Sequence, residues 1–344
     1  MSVPDPQPAR KPNRFWLYAP FVLLLIGAVA WSGFWIWARN RMLSAMDGQA
    51  DALRQAGYEV SWKSRKLYGY PFRLDVELTD ARLRDPSGWG VSSPRFEAES
   101  YLYAPGHWVM ATPEGFSLLR PSGGAVVVTG QLLHASLVGQ DQSMPRFVFQ
   151  GTKVAFAPAA GAAPFALASA ELAALRVIPG PDDQGAAQLR VEGGKARAGT
   201  VLGDLAGDKA VAVDWDSILS KMSGFDGADW ASAVRAWSRA GGRATVRQAG
   251  ITAGDTALNV RAGRLAAGAD GRLTGDLSLE LRGAGAAVAA LARRGLISQE
   301  TAESAGAVVA ARQGAGDSAQ VDLVFQAGRT TLGPVSLGPA PKLY

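Results

Sequence analysis

The sequence has no cysteine among its 344 residues and only two histidines. Without cysteine the chain can form no disulfide, no thiolate metal site and no cysteine nucleophile. His107 and His134 have no second histidine or carboxylate at ligand spacing, and no His-Glu-x-x-His pattern occurs. The common zinc and cysteine chemistries are therefore excluded.

The motifs of several other enzyme classes are missing as well. "AESAG" (302–306) approaches a serine-nucleophile elbow, but alanine replaces the first glycine and no histidine follows. "GAGAAV" (283–288) lacks the third glycine of a dinucleotide-binding loop. We expect no catalytic, cofactor-binding or metal-binding residues and interpret the protein as a non-enzyme. An enzyme of unrecognised type stays open as an alternative.

The excess of positive charge is small and lies at one end of the chain. The net charge is +5, and residues 1–41, with five basic residues and one acidic residue, hold +4 of it. The rest of the chain is nearly neutral, which gives no support for nucleic-acid binding.

Those basic residues flank one long apolar segment, "FWLYAPFVLLLIGAVAWSGFWIWA" (15–38). Its 24 uncharged residues, at about 1.5 Å each, span roughly 36 Å, enough to cross a bilayer core. Aromatic residues lie at both ends, as in transmembrane helices. A cleaved signal peptide would have a shorter apolar run with a small-x-small site beyond it. We predict an uncleaved transmembrane helix, with 1–14 as a cytoplasmic tail and the body outside the cytoplasm.

The remaining chain divides into a short helical linker and a long β-rich region. Residues 39–57 have the apolar spacing of an amphipathic helix ending near Gly57. From residue 58 to 344, short alternating runs such as "RFVFQGTKVAFAP" (146–158) stand between glycine or proline turns. Helical spacing interrupts them near 215–240 and 283–313, where Ser298 is a suitable N-cap. The predicted fold class is mainly β (α+β), a long curved antiparallel sheet with a helical insertion.

One turn stands out at the start of this region, in "SRKLYGYPFRLDVELTDARLRDP" (64–86). Pro71 fixes its own φ and favours extended backbone at Tyr70, while Gly69 permits a sharp change of direction. Phe72 then shares a strand face with the following leucine, and Arg73 lies opposite. We interpret Gly69–Arg73 as a structural turn that begins a strand.

The same "GYPFR" turn after a single N-terminal anchor resembles the domain-of-unknown-function 2125 family of bacterial envelope proteins. The ending "LGPVSLGPAP" (332–341) is similar to that family too. The resemblance implies an inner-membrane anchor, a β-rich periplasmic body and no established activity. It suggests a likeness to AsmA-like envelope proteins, which are associated with lipid handling.

Alternating apolar residues give the candidate ligand-groove positions. Each strand segment can present them on one face, which a single sheet cannot cover by itself. They are Leu74, Val76, Leu78, Phe96, Leu102, Phe147, Phe149, Val321, Leu323 and Phe325. We expect such a groove to hold a lipid or an envelope protein as partner. The alternative is a sheet folded into a filled sandwich, a purely structural interaction module.

Overall fold

The computed structural model describes residues 15–139, 144–314 and 318–344, with side chains from Tyr18 onward. The predicted cytoplasmic tail, residues 1–14, lies outside the described residues. Within the described ranges the chain forms one N-terminal helix and a single large sheet with short helices at its edges. The predicted class, mainly β with helices, is confirmed.

Helix α1 (Phe15–Gln55) is one continuous helix of 41 residues with Pro20 inside it. The predicted transmembrane segment and the predicted linker helix are therefore one element that ends two residues before Gly57. The part from Tyr18 onward is long and apolar enough to span a membrane, with a mean hydropathy of 2.0, and no residue of its most apolar stretch is buried. The other α-helices are α2 (Val201–Ala206), α3 (Trp230–Arg239), α4 (Ala284–Arg293) and α5 (Gln299–Ala311).

The strands divide into an N-terminal and a C-terminal set. The first set is β1 (Glu59–Ser61), β2 (Ser64–Tyr68), β3 (Arg73–Arg84), β4 (Gly90–Tyr101), β5 (His107–Ala111), β6 (Phe116–Leu119), β7 (Val126–Thr129) and β8 (Leu132–Val138). The second set is β9 (Arg146–Pro158), β10 (Leu167–Pro179), β11 (Gln184–Ala196), β12 (Val211–Ser220), β13 (Ala244–Ala253), β14 (Thr256–Ala267), β15 (Leu273–Arg282), β16 (Ser318–Gln326), β17 (Arg329–Leu332) and β18 (Val335–Pro339).

All pairings in the described sheet are antiparallel, but the two sets are connected differently. From β10 to β17 each strand pairs with the strand before it and the strand after it in sequence. In the first set, two short strands share one long neighbour: β1 and β2 both pair with β3, and β5 and β6 both pair with β4. β7 and β8 likewise lie side by side along β9. The C-terminal set is thus a simple meander.

The sheet bends back on itself. The backbone N–H of Trp230, at the start of α3, donates to Asp85 in the β3–β4 turn at 3.1 Å. Its indole nitrogen donates to the carbonyl of Leu343 at 2.7 Å. Because α3 follows β12 and Asp85 follows β3, the later strands must curve round to reach the earlier ones. These contacts therefore support the predicted curvature of the sheet.

The predicted helical insertion near 215–240 is too long. Residues up to Ser220 belong to strand β12, and α3 begins only at Trp230, with a short 3₁₀ turn at Met222–Gly224 between them. Val211 and Ser217 are almost fully buried on one side of β12, so the two-residue period of the strand prevails over the helical spacing further along. In the stretch 283–313 the chain forms α4 and α5, and Ser298 caps α5 by accepting from the Thr301 N–H at 3.1 Å.

Candidate functional site

One face of the sheet is apolar across almost its whole width. Directly paired residues of antiparallel strands point to the same side of the sheet, so the pairing register can be followed from strand to strand. Thirteen such residues, one on each of thirteen strands, are all hydrophobic. They are Leu67, Val76, Ala98, Met110, Ala135, Phe149, Leu175, Leu189, Trp215, Ala249, Val260, Leu279 and Val321. We call the side that carries them the apolar face.

The opposite side is called the polar face, and it has a different chemistry. Because side chains alternate between the two sides of a strand, the residue next to each member of the apolar row lies on this side. The corresponding row is Asp75, Glu99, Val109, Ser136, Val148, Arg176, Gln188, Asp216 and Gln248. Only two of these nine residues are hydrophobic, so the two faces are chemically distinct along most of the sheet.

Helix α1 covers the N-terminal end of the apolar face. Met42, Leu43 and Met46 of the helix pack on the buried cluster around Leu67 and Val76. Arg65 fixes the helix from the side, donating to Asp47 at 2.8 and 3.1 Å, and this hydrogen bond lowers the pKa of Asp47. The second half of α1 is thus a lid on β2–β5.

The C-terminal end of the apolar face is covered by the helical pair α4 and α5. Ala305 and Val309 of α5 belong to the same buried cluster as Val260, Leu279 and Val321. Nearer the middle, Ala206 of α2 packs in a smaller cluster with Val211. Asp204 of α2 accepts from Arg294 at the end of α4, which ties the two helices together and lowers the pKa of Asp204.

Between these covers lies a stretch of the apolar face that no described helix protects. Six residues on β8–β11 lie on this face outside the hydrophobic clusters of the described chain, and we call them the uncovered strip. They are Leu137, Phe147, Leu175, Val177, Ala187 and Leu189. Leu175 and Leu189 are 37% and 40% exposed, and the other four are half-buried. Four strands at a spacing of about 4.8 Å make the strip roughly 14 Å wide.

The predicted groove residues are divided among these regions. Leu74, Val76, Leu78 and Phe96 lie beneath α1, and Val321, Leu323 and Phe325 lie in the cluster beneath α5. Phe149 joins a third cluster with Val126 and Val154, and Leu102 is half-buried just after β4. Phe147 alone falls in the uncovered strip. Their role in holding a ligand stays a prediction.

The sequence analysis did not name Leu175 and Val177 of the strip because it missed β10. The segment "LASAELAALRVIP" (167–179) is rich in alanine and leucine, which favour helices more than strands. The alternation of Leu175 and Val177 with the exposed Arg176 is the signal that could have located it.

The "GYPFR" turn contacts the apolar part of α1. The indole nitrogen of Trp31 donates to the carbonyl of Pro71 at 2.8 Å, and that of Trp35 donates to the carbonyl of Arg73 at 2.9 Å. Tyr70 lies edge-on to the Trp35 ring, with 5.6 Å between ring centroids. The Tyr70–Pro71 peptide bond is cis. The turn therefore joins the end of the β2–β3 hairpin to helix α1.

Gly69 is required by the geometry of this turn. Its φ is +104°, and a Cβ there would lie 2.9 Å from both the carbonyl oxygen of Arg73 and Oδ2 of Asp75. A side chain would be strained by the backbone and blocked by these atoms. The structural interpretation of the turn thus has a specific steric basis, although its contact with α1 was not predicted.

Asp75 is the most unusual charged residue near the turn. It is only 6% exposed, on the polar face, and its Oδ2 lies 3.0 Å from the Arg73 guanidinium, while its Oδ1 is buried with no hydrogen-bond partner. Burial raises the pKa of Asp75, the positive charge of Arg73 partly opposes this, and the charge of Glu99 adds to it. Arg73 also pairs with Glu99 at 2.9 Å.

A shallow cleft of about 280 Å³ lies over β10–β12. Most of its side chains belong to the polar face, including Arg176, Gln188, Arg190, Asp214 and Asp216. It is therefore on the reverse side of the sheet from the uncovered strip. Among the described residues no group of three or more histidines and acids could hold a metal ion.

Together these features define a class of protein: a single antiparallel sheet with one apolar face, joined to a helix that can span a membrane. The chain belongs to the DUF2125 family, described as uncharacterised proteins conserved in bacteria, whose model matches residues 35–341. The resemblance drawn from the turn and the ending is thus confirmed at the level of the family. No curated protein and no solved structure matches the chain.

Proposed function

We propose that this protein is a membrane-tethered, non-enzymatic component of the bacterial envelope that holds lipid acyl chains on the uncovered strip. The observation that carries the proposal is the register-aligned apolar row, which runs across thirteen strands. Burying apolar surface is favourable at about 25 cal/mol per Å². A row of exposed leucines therefore favours an apolar occupant.

The size of the strip suits an acyl chain. One leaflet contributes about half of a hydrocarbon core that is roughly 30 Å thick, so an extended acyl chain measures about 15 Å. The strip is roughly 14 Å across the strands. Among the residues described here, no charged side chain belongs to it, so a chain lying across it meets only apolar atoms.

The connection of the sheet to α1 indicates which apolar molecule would occupy the strip. The same helix that covers the first strands of the apolar face carries the apolar segment able to cross a membrane. Acyl chains are thus the most abundant apolar molecules near the sheet. A protein partner would also bury apolar surface, but it would have to fit between the helices at either end of the strip.

The location that we propose is the inner membrane, with the N-terminus in the cytoplasm and the body in the periplasm. The basic residues before the apolar segment favour this orientation. Alkaline phosphatase fused after Tyr344 should be active, and a cytoplasmic reporter at the same position should be silent. The reverse pattern would place the body in the cytoplasm.

Site-specific photocrosslinking tests the lipid proposal. A benzophenone amino acid is placed at Leu175 or Leu189 in the full chain, and illumination is carried out in living cells. The matched controls are the next residues, Arg176 and Arg190, which are exposed on the polar face. We expect lipid-mass adducts on the leucine positions and none on the arginine positions. Protein adducts at Leu175 and Leu189 would favour an interaction module, and equal lipid labelling at all four positions would contradict a specific lipid site.

A further inference from the structure

The exposed aromatic side chains of the body are concentrated at one place. Among the described residues outside α1, seven aromatic residues are exposed, and five of them lie at the adjoining ends of β2, β3 and β4. These five are Tyr68, Tyr70, Phe72, Tyr101 and Tyr103. We call them the aromatic tip. Such a concentration on a water-facing loop is uncommon and marks a contact surface.

The aromatic tip is one structure built from two turns. The N–H of Leu102 donates to the carbonyl of Phe72 at 3.0 Å, which joins the chain after β4 to the "GYPFR" turn. Tyr101 and Tyr103 stack on each other at 5.0 Å between ring centroids. Tyr103 is nevertheless 74% exposed and Phe72 57% exposed. The rings are held in place without being covered.

The height of the tip along α1 places it within the apolar part of the helix. The carbonyl of Pro71 accepts a hydrogen bond from the Trp31 indole, and the Phe72 ring packs against the Trp31 ring with 6.0 Å between ring centroids. Trp31 lies seven residues before Ala38, the last residue of the apolar segment. At about 1.5 Å per residue this is roughly 10 Å inside the end of that segment. When the helix crosses a bilayer, the tip must reach the bilayer too.

We propose that the aromatic tip inserts into the boundary between phospholipid head groups and acyl chains as a second membrane contact of the protein. Tyrosine and tryptophan favour this boundary because their rings are apolar and their polar atoms reach water. Tyr70 supplies such a ring beside α1, with its hydroxyl 2.9 Å from Ser32 Oγ. Arg73, at the start of β3, lies where an anionic head group would be. The inference rests on the membrane crossing of α1 and not on lipid binding by the uncovered strip.

The insertion would also connect the bilayer to the apolar face. Phe72 precedes Leu74 and Val76 by steps of two residues, so it begins the same side of β3. An acyl chain leaving the membrane beside Phe72 would meet the covered N-terminal end of the apolar face first.

Single-cysteine labelling tests the insertion, because the chain has no cysteine of its own. Phe72→Cys and Tyr103→Cys carry the environment-sensitive dye NBD in the full chain, reconstituted in vesicles of phosphatidylglycerol and phosphatidylcholine in equal parts. The matched control is Trp89→Cys, an exposed aromatic position at the other end of the β3–β4 hairpin. A fourth variant, Leu24→Cys, reports the middle of the apolar segment.

Nitroxide lipids then measure the depth of each probe. Probes at Phe72 and Tyr103 should lose about half of their fluorescence to a nitroxide near the glycerol, as expected for side chains at the boundary. The Trp89 probe should keep its fluorescence, and the Leu24 probe should be quenched most by a nitroxide near the acyl-chain end. Equal behaviour at Phe72, Tyr103 and Trp89, with Leu24 still deep, overturns the inserted tip and leaves the apolar strip untouched. If the Leu24 probe is found in water, α1 does not cross the membrane, and the proposal fails with it.

Discussion

The N-terminal end of the apolar face and its middle have the same chemistry and opposite degrees of cover. Val76 on β3, beneath α1, is 3% exposed, whereas Leu189 on β11, six strands further along the same row, is 40% exposed. Both stand in one register-aligned row. The difference therefore comes from the helices packed on the sheet and not from the residues of the strands. Burial in such a sheet is decided by what lies upon it.

Introducing a charge should show this difference most strongly. Val76→Asp would bury an unpaired carboxylate beneath Met42 and Met46, at a cost of about 3–5 kcal/mol in the free energy of unfolding. Leu189→Asp can be hydrated and should cost less than about 1 kcal/mol. Urea unfolding of the delipidated full chain in detergent, followed by tryptophan fluorescence, measures both. Equal losses would mean that the middle of the face is covered after all.

The turn at the covered end gives the second test. Gly69→Ala should lower the free energy of unfolding by about 1–3 kcal/mol, because it combines a left-handed backbone with a blocked Cβ position. Gly161→Ala has a φ of +75° but no atom within 4 Å of the new Cβ, so it isolates the backbone strain of about 1 kcal/mol. Arg73→Ala removes a half-exposed guanidinium from its ion pairs with Asp75 and Glu99, and the exposed pair with Glu99 is worth only about 0–1 kcal/mol. A smaller loss for Gly69→Ala than for Gly161→Ala would contradict the steric account of the turn.

The smallest effect concerns the reverse side of the same end, where Asp75 is buried. Because its folded-state pKa is raised above the ordinary value of 3.8, the folded protein holds this proton more tightly than the unfolded chain. Stability should then fall as the pH rises through the interval between the two pKa values. Asp75→Asn should remove this slope and gain stability relative to the parent between about pH 4 and neutrality, by no more than about 1 kcal/mol. Thermal melts across that range measure it, and a steeper slope in the variant would be the contrary result.

The alternation within each strand could be predicted from the sequence, and the alignment between strands could not. Val321 and Leu323 alternate with the polar residues Gln320 and Asp322, which is enough to give them a common side, and Phe325 follows at the same two-residue spacing. Whether they lie under a helix depends on α5, which reaches them through packing that no local pattern encodes. The register that joins Leu175 to Phe149 and Leu189 depends on turn lengths between strands. The uncovered strip as a whole could therefore not be predicted from the sequence.

The "GYPFR" turn shows the same division between local and distant causes. Gly69 and Pro71 predict a turn by their own backbone preferences. Its contact with Trp31 and Trp35 joins residues about forty positions apart. These contacts arise because α1 lies along β2 and β3. This tertiary arrangement produces no pattern in the local sequence, so it could not be predicted from it. The sequence predicted a turn that begins a strand, and the structure adds its contact with helix α1.

The meander of β9–β18 makes the length of this protein adjustable. From β10 onward each strand depends for its pairing only on its sequence neighbours, so a hairpin can be added or deleted without rethreading the rest. Two strands at about 4.8 Å each change the span by roughly 10 Å. Since an even number of strands preserves the up-and-down direction, the next strand still meets its partner in the correct sense. Duplication of a hairpin would thus lengthen the sheet in fixed increments while the anchor and its turn stay as they are.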